Sequence, residues 1–351
     1  MMAMAALAVA AVLRGAMLPA SVLPALPYPG PLAAEAASAD GSLSVMTYNV
    51  AALPWPMGMG RDDALAGIAE RLRQMRALGR QPHIVLLQEA FTDAAKRIGP
   101  DAGYRYRASG PAIDQVAAAD GNPAHLAFLR AGDPLRGEGI GKYSDSGLQI
   151  LSDFPILAVR RAAFPAHACA GFDCLANKGM VMALLAIPGL PTPVAVIDTH
   201  LNARNASGVA LTRAFEAYRR QLQALDAFIR ASVPPGVPVL LAGDLNVGHS
   251  RPRDALVRAM VARWLGSRAE PAVGGILRSC VGPSQPCGGA LPEDARRSVE
   301  HNKDWQIPIP AGGRTLAVYR IATPFGREAD GSMLSDHIGY TAYYRLNERP
   351  S

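Results

Sequence analysis

The feature of this sequence that most restricts its fold is an alternation of short apolar runs with amphipathic stretches. The first half begins as strand, helix and strand, predicted at residues 44–50, 62–78 and 83–88. The second half repeats this pattern without repeating the sequence. Its predicted elements are strands at 146–152, 181–187, 194–199, 237–242, 315–321 and 338–344, with a helix at 211–229. Two similar halves of mixed elements predict two packed β-sheets with helices outside.

Two stretches, 110–145 and 266–297, are rich in Gly, Pro and Ala and have no clear periodicity. They are predicted to be long loops over the working edge of the sheets. The chain has 351 residues, which suffices for one large domain or two ordinary ones. The spacing of the elements favours one folded domain over residues 41–351.

Residues 1–40 have a different character, with a small-residue apolar run followed by a segment rich in Pro and Ala. They are predicted to be a signal peptide or a disordered leader, with Ala36–Ala39 resembling a cleavage site. The positive n-region is missing, and Met17 is an alternative start. No later run reaches the length of a membrane-spanning helix. The predicted location is secreted or periplasmic.

The four cysteines fall into two close pairs, Cys169 with Cys174 and Cys280 with Cys287. Neither pair has the spacing of a zinc or redox motif, so two short-loop disulfides are predicted, as expected in an oxidising compartment. Four free thiols in a cytoplasmic enzyme are the alternative.

The net charge of +6 favours an anionic partner such as a phosphate ester, a nucleic acid or an acidic membrane. The basic residues are scattered, however, and no Lys/Arg run indicates a nucleic-acid groove. Compositional bias is the stronger explanation of the charge.

Oxygen-rich and acid–base side chains stand at the ends of the predicted strands. They are Asn49, Glu89, His200, Asn202, Asp244, Asn246, Asp304, Asp336 and His337. Each one alone could be a turn or surface residue. As an ordered set they predict a shared site, and carboxylate and amide oxygens suit Mg²⁺, Mn²⁺ or Ca²⁺ better than zinc or copper.

Five segments resemble the signatures of the exonuclease/endonuclease/phosphatase superfamily, in the order in which that superfamily has them. They are Thr47-Tyr48-Asn49-Val50, Leu87-Gln88-Glu89-Ala90, Asp198-Thr199-His200-Leu201-Asn202, Gly243-Asp244-Leu245-Asn246 and Ser335-Asp336-His337. The resemblance implies a four-layer α/β sandwich, with two packed mixed β-sheets flanked by helices. It also implies one metal-dependent site that hydrolyses phosphate esters. Asp304 lies in a segment that departs from the family's usual late aspartate.

The site that this resemblance implies has metal ligands, catalytic residues and residues that bind the substrate phosphate. The metal, Mg²⁺ or Mn²⁺, would be held by Asn49, Glu89, Asp244, Asn246 and Asp336. The catalytic residues would be His200, Asp244, Asn246, Asp304 and His337. His337 is predicted to be the general base, oriented by Asp304 or Asp336, with Asp244 as the alternative base. His200 would bind the phosphate or protonate the leaving alcohol.

The segment Cys169–Met180 contains Asn177-Lys178-Gly179 before an apolar strand, and is similar to a segment of neutral sphingomyelinases. Lys178 and Asn202 are therefore predicted to bind the substrate phosphate, with a solvent-exposed turn as the alternative for Lys178. The predicted substrate is sphingomyelin or a related phospholipid. A secreted deoxyribonuclease, a phosphoinositide-type phosphatase and a non-enzymatic binding module remain alternatives.

The predicted partner is this substrate, together with a peripheral contact with the membrane. Trp55 and Phe325 are the aromatic candidates for that contact, and loop packing is their alternative role. No stable protein partner is predicted, so the chain is expected to be a monomer.

Overall fold

The structure, a computed structural model, describes residues 42–54, 57–117, 120–265, 275–281 and 287–348. The predicted leader and Trp55 lie outside these residues. The strands are β1 Ser42–Ala52, β2 Ile84–Ala90, β3 Tyr106–Ser109, β4 Gln149–Ser152, β5 Ile156–Ala163, β6 Gly179–Leu185, β7 Val194–His200, β8 Val239–Asp244, β9 Asp304–Ile309, β10 Arg314–Phe325 and β11 Gly339–Glu348.

These strands form two mixed sheets. The larger has the order β10-β11-β1-β2-β4-β3, and the smaller has the order β5-β6-β7-β8-β9. Each sheet contains one parallel pair at its centre, β1 with β2 and β7 with β8. The carboxyl ends of these four central strands therefore lie at one edge of the molecule.

Helices flank the two sheets. They are α1 Asp62–Ala77, α2 Asp93–Asp101, α3 Pro123–Arg130, α4 Leu211–Ser232, α5 Arg251–Leu265, α6 Gly275–Val281 and α7 Glu293–His301. The apolar faces of α1 and α2 pack on the larger sheet, and those of α4 and α5 pack on the smaller. A third apolar core fills the space between the sheets. The predicted α/β sandwich of two mixed sheets flanked by helices is confirmed.

Side-chain alternation along the strands decides which residues meet between the sheets. In β1, Leu43 and Val45 belong to the core between the sheets, whereas Met46 and Tyr48 pack against the helices. Asn49 continues the first series and so faces the other sheet. The same alternation directs His200 of β7 and Asp244 of β8 towards the larger sheet, because Val196 and Leu240 precede them on that face.

The predicted loops contain more regular structure than expected. The first, 110–145, includes α3, and the second, 266–297, includes α6 and the beginning of α7. The helices α3 and α6 are short, and α3 carries no buried residue. Neither of these two helices has an apolar pattern long enough to be recognised in the sequence. None of the helices in the described part of the chain is long and apolar enough to span a bilayer.

Both predicted disulfides are present, joining Cys169 to Cys174 and Cys280 to Cys287. The first closes the loop before β6, and the second links α6 to the segment that leads to α7. Phe325 is buried and stacks on Tyr48 with the ring centroids 5.0 Å apart. The idea that Phe325 contacts a membrane is therefore wrong, because its ring is part of the core.

Candidate active site

The strand ends bring most of the predicted residues into one buried cluster. Asn49 is the link between the sheets: its Nδ2 donates to Glu89 Oε1 at 3.0 Å and to Asp244 Oδ2 at 3.2 Å. Its Oδ1 accepts from the backbone N of Ala51 at 3.0 Å, which fixes the orientation of the amide. In this arrangement Asn49 holds two carboxylates together. Metal ligation through Asn49 Oδ1 stays a prediction, because the side-chain amide would have to rotate until this oxygen faced the carboxylates.

Glu89 reaches the cluster because the backbone departs from the strand conformation. Alternation along β2 would point it towards the helices, as it does Val85 and Leu87. Instead, Glu89 has a φ of 55°, which is rare for a residue other than glycine. Such strain persists only where the surroundings enforce it, and it often occurs at functional sites. Burial raises the pKa of Glu89, although the Asn49 hydrogen bond and the Lys178 charge oppose this effect.

Asp244 ends β8 and is almost fully buried. The preceding residue has to be glycine, because a Cβ on Gly243 would lie 2.0 Å from the carbonyl oxygen of Thr199. Burial opposes ionisation of Asp244, but the nearby charges of His337 and Lys303 lower its pKa. Asp244 is therefore an anion at the centre of the site.

His337 and Asp304 form a buried pair next to Asp244. The Nδ1 of His337 is 2.9 Å from Asp304 Oδ2, and its Nε2 is 3.8 Å from Asp244 Oδ2. Burial alone would lower the pKa of His337, but these two carboxylates raise it to about 10. Burial also raises the pKa of Asp304. The predicted orienting role of Asp304 has the geometry that it needs, with the proton on the imidazole.

His200 is buried and neutral. Its Nε2 lies 3.2 Å from Lys178 Nζ and 3.0 Å from Asn246 Nδ2, so it faces two donors and acts as an acceptor. Burial, together with the Lys178 charge, holds the pKa of His200 well below its usual value. In this arrangement Nε2 has no proton to give to a leaving group or to a phosphate oxygen, so both predicted roles of His200 require that nitrogen to be protonated and stay predictions.

Lys178 is buried, so the alternative of a solvent-exposed turn is excluded. Its Nζ bonds to Asp173, and Asp173 also accepts from the backbone N of Ala203 at 3.0 Å. Asp173 lies in the Cys169–Met180 segment, and the sequence alone assigns it no role. Lys303 was also missed, although it directly precedes Asp304, and its Nζ is 3.4 Å from His337 Nε2. Sequence reasoning had no signal for either pairing, since each depends on the fold.

Two predicted residues lie at the margin of the cluster. Asn202 is fully buried, but its Oδ1 accepts from Ala170 N and its Nδ2 donates to Ala203 O, both at 2.9 Å. Its amide thus contacts the main chain, and phosphate binding would depend on its second amide hydrogen. Asp336 is exposed and lies next to the Asp304–His337 pair in the chain, and its role as a ligand stays a prediction.

Within the described residues, Asp244, Asp304 and His337 form a group whose side-chain ligand atoms all lie within 4.8 Å of one another. Glu89 extends this group through Asn49. Carboxylates gathered in this way, two of them buried, repel one another, and a divalent cation would offset that repulsion. The donor set consists mainly of oxygen atoms and so fits a hard divalent cation.

The two packed sheets and this oxygen-rich cluster at their common edge define the class of metal-dependent phosphoric ester hydrolases. The chain belongs to the Endonuclease/Exonuclease/phosphatase family, whose model matches residues 46–272. Members of this family hydrolyse phosphoric esters and depend on a divalent metal. A search of curated proteins finds no match to this sequence.

Several solved structures share the fold at low sequence identity. Sphingomyelinase C from Streptomyces griseocarneus is 23% identical, with a TM-score of 0.51, covering 87% of this chain and 99% of that one. Beta toxin from Staphylococcus aureus, in a variant solved with bound magnesium ions, is 16% identical, with a TM-score of 0.55 and coverages of 86% and 99%. An endonuclease/exonuclease/phosphatase from Beutenbergia cavernae is 18% identical, with a TM-score of 0.51 and coverages of 87% and 72%.

Proposed function

We propose that this chain is a divalent-metal-dependent phosphodiesterase that hydrolyses sphingomyelin or a related phospholipid and releases the phosphorylated head group. Support for phosphate-ester hydrolysis comes from the family and from the buried cluster around Asp244. Support for a lipid substrate comes mainly from one observation, a group of exposed apolar side chains on the loops around the Lys178 segment.

This group, the apolar rim, consists of Leu135, Ile140, Tyr143 and Phe172, with Leu135 90% and Tyr143 69% exposed. The rim belongs to two loops that bind each other, since Gly171 N donates to Glu138 Oε1 at 2.8 Å and Tyr143 N donates to Leu175 O at 2.7 Å. Phe172 is next to Asp173, the partner of Lys178. Exposed apolar side chains on paired loops beside a site favour an apolar ligand or a membrane surface.

Mg²⁺ or Mn²⁺ would be held by Glu89 and Asp244, with the amide oxygens of Asn49 and Asn246 and the Asp336 carboxylate as further ligands. A bound divalent cation neutralises phosphate charge and lowers the pKa of a coordinated water. The role of Lys178 is to place a compact positive charge on the substrate phosphate. His200 and Asn202 would complete phosphate binding.

The general-base role of His337 requires a neutral imidazole. With a pKa of about 10, the ring carries a proton while the surrounding carboxylates are unneutralised. A divalent cation held by Asp244 would disfavour that proton, and the ring would have to release it to solvent before it could accept one from the attacking water. Asp304 keeps the ring oriented through Nδ1, as in other carboxylate–histidine pairs. Asp244 is the alternative base.

Export from the cytoplasm fits the two disulfides best, because such bonds persist in oxidising compartments. The leader would direct that export, and the enzyme would act as a monomer at the membrane surface.

A substrate panel tests the function. The purified protein with Mg²⁺ is given sphingomyelin, phosphatidylcholine, plasmid DNA and inositol phosphates, each in a parallel reaction. We expect release of phosphocholine from sphingomyelin and little nicking of DNA, since no basic run follows a duplex backbone. Efficient DNA cleavage without phosphocholine release would support the nuclease instead, and release of inorganic phosphate alone would support a phosphatase.

A further inference from the structure

A second cluster of metal-binding side chains lies apart from the site described above. It consists of Asp120, His125 and His167, called here the Asp120 cluster. Asp120 lies just before α3, His125 lies in the first turn of α3, and His167 lies in the short 3-10 helix Ala166–Ala168. The geometry points to a binding site for a zinc-type divalent transition metal at this cluster.

The distances fit a shared ion. His125 Nδ1 lies 2.7 Å from Asp120 Oδ1, and His167 Nδ1 lies 3.9 Å from the same oxygen. The two imidazole rings stack with their centroids 3.6 Å apart and their planes 13° from parallel. One ligand atom from each residue falls within 4.8 Å of the others. Tetrahedral zinc with bonds of about 2.0 to 2.1 Å needs ligand atoms roughly 3.4 Å apart. Binding would therefore lengthen the His125–Asp120 contact, shorten the His167–Asp120 contact and rotate one ring out of the stack, so that each nitrogen faces the ion in the plane of its ring.

A second observation points to a ligand. His167 Nδ1 has no hydrogen-bond partner within the described ranges. The side chain is also buried, with only 8% of it exposed to solvent. A buried polar atom without a partner is costly, and a bound ion would provide the missing interaction. Burial, with His125 alongside, lowers the pKa of His167 to about 4, so the ring is uncharged at neutral pH, as metal ligation requires.

The donor set selects the metal. Two imidazole nitrogens and one carboxylate suit zinc and its transition-metal neighbours, whereas Mg²⁺ and Ca²⁺ prefer oxygen ligands. Three protein ligands leave a fourth position for water. Within the cluster, the Asp120 carboxylate supplies one negative charge, which partly offsets the charge of a divalent ion. The Arg220 guanidinium lies close to His167, and it donates to Glu216 and to the carbonyl oxygen of His167.

A bound ion would connect two parts of the chain. Asp120 and His125 belong to the long segment between β3 and β4, and His167 belongs to the segment that leads to the Cys169–Cys174 disulfide and Lys178. The alternative is a metal-free arrangement, in which Asp120 and His125 form a surface ion pair and the rings merely stack.

The experiment is a zinc titration of the full-length protein, first stripped with EDTA and then saturated with Mg²⁺ to occupy the oxygen-rich centre. Calorimetry should show one zinc equivalent, and Co²⁺ should produce the visible absorption of a site with nitrogen ligands. His125→Gln and Asp120→Asn should each weaken zinc binding at least about tenfold. Both residues are partly exposed, so these variants are expected to fold.

Two controls locate the ion. His301→Gln changes an exposed histidine outside the cluster and should bind zinc as the wild type does. Glu89→Gln should also retain the zinc equivalent, because Glu89 belongs to the other site. No zinc binding by the Mg²⁺-saturated wild type would overturn the proposal. Equal affinity in wild type, His125→Gln and Asp120→Asn would overturn it as well. Neither result depends on the proposed substrate.

Discussion

The positive φ of Glu89 shows how one residue shapes the proposed metal site, because it turns a carboxylate from the helix side of β2 towards Asp244. Glu89→Gln keeps the shape of the side chain but removes its charge. We expect turnover to fall at least about a hundredfold, the scale of losing one positioned electrostatic contributor. The measurement is the initial rate on sphingomyelin, with Glu70→Gln on the exposed face of α1 as a matched control.

Chelation tests the same assignment without a mutation. EDTA should abolish activity, and Mg²⁺ or Mn²⁺ should restore it, because the proposed ligands are oxygen donors. Full activity in EDTA, or in the Glu89→Gln variant, would exclude the metal role of Glu89.

Lys178 places a positive charge next to His200 inside a buried site. Lys178→Ala should lower kcat by about a hundredfold or more while changing KM much less, since the charge acts on the transition state. Lys178→Arg should rescue poorly, because a planar guanidinium needs a different geometry. Steady-state kinetics on detergent-dispersed sphingomyelin measure both parameters.

Removal of Lys178 also leaves Asp173 without its cation, which could unfold the loop. The double variant Lys178→Ala with Asp173→Asn separates the two effects. If the loss arises from the unpaired carboxylate, the double variant recovers activity. If Lys178 acts on the phosphate, the double variant stays inactive while its thermal stability returns towards that of the wild type.

At the scale of the element, β7 contains an unusual core residue. Asp198 is fully buried between the sheets, where its Oδ1 accepts from Gln88 Nε2 at 2.7 Å. Its Oδ2 has no partner among the described residues. Burial raises the pKa of Asp198 well above its usual value, so the folded protein retains a proton that the unfolded chain releases.

This raised pKa predicts how stability changes with pH. Its stabilising contribution is complete below the pKa of the unfolded state and is lost as pH rises towards the folded value. Asp198→Asn removes the titration, so it should raise the free energy of unfolding by about 1 to 3 kcal/mol above neutral pH. The gain should shrink towards about pH 4. Urea unfolding of the wild type and of Asp198→Asn, near pH 4 and above neutral pH, measures this gain. An equal gain in the free energy of unfolding at the two pH values would contradict the raised pKa of Asp198.

Long elements with a clear apolar pattern could be predicted from the sequence, and short or irregular ones could not. The strand at 194–199 and the helix at 211–229 match β7 and α4 closely. The strand β9 was missed, because Asp304, Gln306 and Pro308 interrupt its apolar residues and are accommodated only by the other sheet. The set of residues around Asp244 was predicted by motif order. Their individual bonds, such as those of Asn49, depend on distances across two sheets and cannot be read from one strand.

At the scale of the molecule, the apolar rim predicts a difference between dispersed and bilayer substrates. Leu135→Ser combined with Tyr143→Ser removes two exposed apolar groups without disturbing the core. We expect weaker binding to sphingomyelin vesicles, with activity on short-chain soluble substrate unchanged, because the rim meets the membrane rather than the phosphate. Vesicle sedimentation and parallel rate measurements test this.

The matched control for the rim is Leu78→Ser, which changes an exposed apolar residue at the end of α1. Equal vesicle binding by the wild type and the rim variant would show that these side chains do not contact lipid, and the lipid proposal would lose its main support.

The position of β11 has a consequence for how the protein is made. β11 pairs with β1, so the first strand of the domain must wait for a partner from the opposite end of the sequence. His337 lies just before β11 and is positioned by it. A ribosome that has not yet released residues 335–348 therefore carries a chain with an open sheet and without His337, the proposed general base. Folding of the larger sheet and completion of the site therefore both wait for residues 335–348, and the domain stays inert until they have been made.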